Sequence, residues 1–178
     1  NVLVTPGGEV KLLDFGIATS ETAVGEATAV RGTPPYMAPE QARGEGLTAR
    51  TDVFAVGLVL WEALAGRRAY TGKDAAEVLA AACRGHVPPL DRERAPAPLC
   101  AIIERATRFD PAERFADARA IQMALDEYLV DARAGLERRG PAHQLLAAWV
   151  SELFPDRDAG RSNGTVVVPD GPVATFLD

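Results

Sequence analysis

The sequence predicts a mainly α-helical domain that opens on one small β-hairpin. Two short apolar runs at the start, Val2–Val4 and Val10–Leu13, flank the turn formers Pro6-Gly7-Gly8, a pattern that fits paired strands around a tight connection. From Asp52 onward, apolar residues recur at helical spacing in four successive stretches, the first three closed by Gly66, Gly85 and Pro111. With 178 residues, 47% hydrophobic and 25% charged, the chain has the composition of an ordinary soluble protein and the length for one domain and a tail.

The elements follow in order. The hairpin delivers Asp14 at the end of its second strand, and Thr19 to Ala29 is small, polar and aperiodic, which predicts a mobile surface loop. Ala38 to Arg43 reads as a short helical turn ended by Gly44. Asp52 to Ala65 is apolar on nearly every side, which predicts a helix buried all round and stopped by Gly66. Lys73 to Arg84 forms the next helix, with Thr71 or Asp74 as its cap and Gly85 as its end. Pro88-Pro89, Pro96 and Pro98 mark a loop before a helix from Leu99 to Arg108, which Phe109-Asp110-Pro111 breaks. A fourth helix, Ala116 to Leu129, carries Ile121, Leu125 and Leu129 on one face.

After Asp131 the character changes. Residues 132–140 are charged and weakly helical, and a further helix from Pro141 to Phe154 places Leu145, Leu146, Trp149, Val150, Leu153 and Phe154 on one side. That stripe reads as a helix packed on its own domain in preference to a surface for a separate partner. Residues 155–178, rich in Asp, Arg, Gly, Ser and Asn, read as disordered linker. Three parts result: 1–131, a helical extension over 132–154, and 155–178.

Composition narrows the partners. A net charge of −6 and a pI near 5.0 give no reason to expect nucleic acid or an anionic membrane. The longest apolar run, Val53 to Leu64, is shorter than the roughly 20 residues a bilayer demands and is interrupted by Gly57 and Glu62. Cys83 and Cys100 lack metal-ligand spacing and suit a reducing compartment, so a cytoplasmic location is expected, with a membrane anchor elsewhere in a longer parent left open. His86 and His143 have no acidic or cysteine company in the sequence and read as incidental surface groups.

The chemistry-bearing residues come as a constellation. Asp14-Phe15-Gly16 is followed 22 residues later by Ala38-Pro39-Glu40, and the segment between them closes on Gly32-Thr33-Pro34-Pro35-Tyr36-Met37. Asn1 stands ahead of the first strand, Asp52 heads the apolar helix, and Asp110-Pro111-x-x-Arg114-Phe115 follows the third helix. This order resembles the protein kinases over about residues 1–130, with D-F-G and A-P-E bracketing an activation segment and Asn1 closing the catalytic loop H-R-D-x-x-x-x-N. The chain looks like the C-terminal lobe of a bacterial, Hanks-type serine/threonine kinase, an otherwise α+β fold, beginning just after the catalytic aspartate. Gly66-Arg67-Arg68-Ala69-Tyr70 stands where relatives often show Gly-x-x-Pro-Phe, and Ala69 departs from that pattern.

The resemblance implies roles. Phosphoryl transfer needs cations against the nucleotide phosphates, and magnesium takes hard oxygen ligands. Asp14 would hold the metal that bridges the phosphates of ATP, and Asn1 a second Mg2+. Thr33 would contact the catalytic aspartate, and the Gly-Thr-Pro-Pro-Tyr segment implies protein serine and threonine as acceptors. Glu40 and Arg114 would form a buried ion pair that pins the activation segment. Asp52 would brace the catalytic-loop backbone, while by residue type alone it is equally a helix cap. Thr19, Ser20, Thr22 and Thr28 are candidate phosphoacceptors, Thr28 foremost. The Gly-rich loop, the strand lysine, its partner glutamate and the catalytic aspartate would lie upstream, in an N-terminal lobe and the catalytic loop. Residues 1–178 alone are therefore expected to bind ATP poorly and to transfer no phosphate. The competing reading is a pseudokinase or scaffold, against which stand the two metal ligands Asn1 and Asp14.

Overall fold

Alternation, turn residues and capping decide the local structure, and the computed structural model of the chain describes residues 2–13, 33–92, 95–136 and 142–153. Two units partition the chain. One comprises residues 1–20 and 132–171, the other residues 21–131 and 172–178.

In the first unit, strands β1 (Val2–Val4) and β2 (Val10–Leu12) pair antiparallel, Val2 with Leu12, Leu3 with Lys11 and Val4 with Val10. Their connection is tied by Thr5. Its carbonyl accepts from the Gly8 N–H at 2.8 Å, its N–H donates to the Glu9 carbonyl at 2.8 Å, and its hydroxyl accepts from the Glu9 N–H at 3.0 Å. Gly8 has φ +79°, a backbone conformation that side chains disfavour. This unit also holds the helix α6, Ala142–Leu153, predicted as 141–154.

The second unit is helical. Pro34–Tyr36 makes one 3-10 turn, then come α1 (Pro39–Ala42), α2 (Ala49–Ala65), α3 (Ala75–Arg84) and α4 (Ala97–Ala106), a second 3-10 turn at Pro111–Glu113, and α5 (Ala118–Leu136), whose last residues belong to the first unit. Three of the boundaries that differ from expectation do so for clear local reasons. Helix α2 starts three residues early because Thr48 and Thr51 form a reciprocal capping box, so Asp52 is a first-turn residue and not the cap. Helix α4 starts at Ala97 because proline is tolerated in a first helical turn, where its missing N–H has no partner to lose. Helix α5 continues past Leu129 and into the charged stretch, to Leu136, since Ala132, Arg133 and Ala134 are good helix formers. Asp74, one of the two expected caps, does cap α3, accepting from the Glu77 N–H at 2.9 Å.

Two apolar clusters form the core. Met37, Ala38, Ala42, Phe54, Leu58, Tyr70 and Ala82 make one, joining α1, α2 and α3. Val53, Ala106, Phe115 and Ile121 make the other, joining α2, α4 and α5. Helix α2 serves both but is not buried all round: Asp52, Val56 and Val59 are exposed along one stripe. At Gly57, α4 comes so close that an added Cβ would stand 2.7 Å from Thr107 Cγ2 and 3.0 Å from Ala106 Cβ. Among the described residues no helix is long and apolar enough to cross a membrane.

Candidate functional site

The segment leading to α1 is extended at Thr33, whose carbonyl accepts from the Tyr36 N–H at 2.9 Å and starts the 3-10 turn. Thr33 itself is exposed. Burial lifts the Tyr36 hydroxyl above its ordinary pKa, and a hydrogen bond and the negative charge from Glu62 lift it further, with Arg68 opposing. Met37 and Ala38 then enter the core, and Pro39 opens α1, which brings Glu40 inward as a first-turn acid.

Glu40 meets Arg114 across 74 positions of sequence. The guanidinium donates from Nη1 to Oε1 at 2.7 Å and from Nη2 to Oε2 at 2.9 Å, a two-pronged carboxylate contact. Its remaining donors reach three backbone carbonyls, Arg108 at 2.7 Å, Arg50 at 3.1 Å and Phe109 at 3.0 Å. All five N–H groups of Arg114 are thereby used. The guanidinium also lies over the Phe54 ring, 4.6 Å from its centroid. The Arg114 side chain is fully buried and that of Glu40 only 7% exposed. Burial pushes the Glu40 carboxyl up, but the Arg114 hydrogen bond, a backbone N–H, the Arg114 charge and the Thr51 hydroxyl outweigh it and hold it below the ordinary carboxylate value.

The loop that carries Arg114 is itself fastened. Asp110 Oδ1 accepts from the Ala112 N–H at 2.8 Å and starts the 3-10 turn. Arg50 Nη1 donates to the carbonyls of Pro111 at 3.0 Å, Ala112 at 3.3 Å and Arg114 at 3.1 Å. Sequence reasoning missed Arg50. Its one signal is its place in the first turn of α2, where the helix dipole disfavours a cation unless the side chain is used elsewhere. Arg43, on the turn after α1, donates to the Cys83 carbonyl and lies 4.7 Å from the Phe109 ring centroid. Helix α1 and its C-terminal turn, α3 and the Asp110–Phe115 loop are thus joined by arginines.

The structure therefore brings Glu40 and Arg114 together and leaves Asp52 exposed at the head of α2. Asn1 and Asp14, together with Thr19, Ser20, Thr22 and Thr28, lie outside the described residues. Among the described residues no three His, Cys, Asp or Glu side chains gather as a metal site. Asn1 immediately precedes β1 and Asp14 stands two positions beyond β2, and the Val2–Leu12 pairing sets the open ends of these strands side by side. Cys83 and Cys100 are both free thiols.

The protein kinase domain family matches residues 1–127. The chain is 39% identical to the tyrosine-protein kinase MasK of Myxococcus xanthus over 178 residues, covering 98% of this chain and 28% of that protein. It is 39% identical over 127 residues to the serine/threonine-protein kinase PknA of Corynebacterium glutamicum, covering 70% of this chain and 27% of that protein. Among solved structures, the twitchin kinase region from C. elegans aligns with a TM-score of 0.45 at 23% identity, covering 52% of this chain and 16% of that one. The chain thus spans little more than a quarter of the length of these two bacterial relatives.

Proposed function

The chain belongs to the protein kinase domain family, and on that footing we propose that it supplies the C-terminal lobe of a kinase that moves the γ-phosphate of ATP to serine or threonine in proteins. The observation that carries the reading is the Glu40–Arg114 pair, buried and two-pronged, joining the Ala38-Pro39-Glu40 and Asp110-Pro111-x-x-Arg114 motifs. A solvent-facing pair would be an ornament. A buried one, with every guanidinium N–H engaged, fixes the end of the segment that begins at Asp14.

In this reading Asp14 and Asn1 hold Mg2+, which neutralises charge on the ATP phosphates. Asn1 precedes β1 by one position and Asp14 follows β2 by two, and the pairing of these strands supports a reading in which the two donors work together. Thr33, on extended backbone at the close of the segment, positions the acceptor side by a hydrogen bond to the catalytic aspartate. Thr28 and Thr22 are proposed phosphorylation sites whose charge would order the segment through an arginine. Residues 1–131 form the lobe, 132–154 a helical extension and 155–178 a linker, in a protein working in the cytoplasm. The sequence carries neither His-Arg-Asp nor a Gly-rich phosphate loop, so residues 1–178 by themselves are proposed to lack transfer activity.

The test is transfer of labelled phosphate from Mg-ATP to a generic protein substrate by the gene's full-length product, followed by phosphoamino-acid analysis. Phosphoserine and phosphothreonine, lost on Asp14→Asn, are the expected result. Phosphotyrosine as the main product would replace the acceptor class with the one in the name of the M. xanthus relative. Phosphate transfer that Asp14→Asn leaves untouched would remove Asp14 from the metal site. No transfer by the intact protein would favour the scaffold reading.

A further inference from the structure

The tip of a two-stranded hairpin is ordinarily its most exposed part. Here Gly7 follows that rule and Gly8 does not: Gly8 is buried, while every residue of β2 is exposed. What covers it is α6, from the same unit. A Cβ added to Gly8 would run into the carbonyl oxygen of His143, and would stand 2.7 Å from the His143 carbonyl carbon and 3.0 Å from the Ala147 N. The Gly8 backbone therefore sits against the backbone of the first turns of α6, an approach that only a residue without a side chain allows.

The face of α6 that makes this approach becomes more buried along its length, from exposed His143 to buried Val150. His143, Leu146, Ala147 and Val150 fall at i, i+3, i+4 and i+7, one stripe of a helix. Leu146 and Ala147 are half-buried and Val150 is buried, whereas Gln144, Ala148, Ser151 and Glu152, on other faces, are exposed. Small Ala147 stands one turn on from His143, the residue whose carbonyl the glycine approaches most closely.

We infer that α6 is a clamp for the β1–β2 hairpin, seated on the Gly8 turn, and that the helical extension thereby positions the strand ends that lead into Asn1 and Asp14. A hairpin of two three-residue strands has too few hydrogen bonds and too little buried apolar surface to hold a fixed position unaided. Pinning its closed end restricts its open end. Gly8, Ala147 and Val150 are positioning residues and touch no reacting atom. The consequence for metal binding rests on the kinase reading; the docking of α6 does not.

Hydrogen exchange by mass spectrometry on the 178-residue chain tests it, comparing wild type with Val150→Asp. The expected result is about tenfold faster exchange in the peptide covering residues 2–13, with the peptide covering 49–65 unchanged. Unchanged exchange over 2–13 overturns the clamp. If 49–65 also loosens, the decision passes to Gly8→Ala and Gly8→Asn. Asparagine tolerates positive φ far better than alanine, so a clash with α6 predicts that both accelerate exchange over 142–153 equally. Normal exchange there for Gly8→Asn would reduce Gly8 to an ordinary turn glycine and overturn the proposal. In the full-length protein, Val150→Asp should raise the KM for Mg-ATP more than it lowers kcat, and an unchanged KM removes the positioning role. A wild-type protein that transfers no phosphate, with the exchange result intact, would leave the clamp standing and sink the kinase reading.

Discussion

A carboxylate–cation pair in each unit of the molecule invites comparison, and the two pairs could hardly differ more. Glu9 and Lys11, on the hairpin, are 3.5 Å apart with side chains 69% and 58% exposed. Glu40 and Arg114 are 2.7 Å apart, almost wholly buried and surrounded by further hydrogen bonds. The first pair joins residues two apart in sequence, Glu9 just before β2 and Lys11 within it, and the second joins residues 74 apart on different elements. Water already solvates the first pair well, so forming it gains little. The second has given up its water, and its geometry must be complete to repay that loss. The contrast matches a division of labour: the helical unit carries the rigid anchor, while the hairpin that leads to the proposed metal ligands depends on what packs against it.

Removing Arg114 should break the comparison most severely. Arg114→Ala abandons the Glu40 carboxylate in the core together with the carbonyls of Arg108, Phe109 and Arg50. A loss of about 3–5 kcal/mol is expected, read as a lowered urea midpoint. Arg114→Lys should recover little of it, because an ammonium cannot present the planar fork that reaches both carboxylate oxygens. A loss below about 1 kcal/mol for the alanine variant would place this pair in the class of the exposed one.

Acid should act through the same pair. The Glu40 carboxyl is held below its unfolded value, so the folded state gives up that proton more readily. The stabilisation is fully present above the unfolded carboxylate pKa and fades as pH falls toward and through the lowered one. Thermal melts from pH 6 down to pH 3 should show Tm falling, and Glu40→Gln should flatten that part of the fall while lowering Tm at pH 6. A profile that Glu40→Gln leaves just as steep would assign the acid sensitivity to other groups.

These anchor residues were legible in the sequence because their motifs are contiguous and recur in a known order, even though nothing local says that Glu40 and Arg114 touch. The helices were legible through glycine and proline punctuation, which is why α2 and α3 end at Gly66 and Gly85. Their starts were less so. Thr48 was passed over as a cap because its box partner is Thr51 in place of the glutamate or glutamine that usually marks the motif. Arg50 stayed hidden because three bonds to backbone carbonyls leave no sequence pattern, the acceptors being common to every residue. The covered face of Gly8 was equally invisible, since Pro6-Gly7-Gly8 explains itself as a turn without any partner.

Close packing offers a smaller test of the anchor unit. Gly57→Ala adds a methyl group that must displace Thr107 or Ala106, both on the end of α4. Alanine favours a helix over glycine by about 1 kcal/mol, and the overlap costs about 1–3 kcal/mol in a packed core. A net loss of about 1 kcal/mol in urea unfolding is expected. A gain would mean that α2 and α4 separate at little cost, and that the anchor unit is looser than its ion pair suggests.

The smallest effect belongs to the hairpin pair. Lys11→Ala removes the partner of Glu9 but leaves that carboxylate in water, so no buried charge is abandoned. Holding two long side chains in one arrangement costs entropy that offsets most of the attraction, and the expected change is below about 0.5 kcal/mol, shrinking further in salt. Strand pairing comes from the backbone and would survive. If Lys11→Ala instead loosened residues 2–13 in hydrogen exchange, the hairpin would owe its order to surface charge. The contact between Gly8 and α6 would then be a consequence of a hairpin already held in place, where the packing makes it the cause.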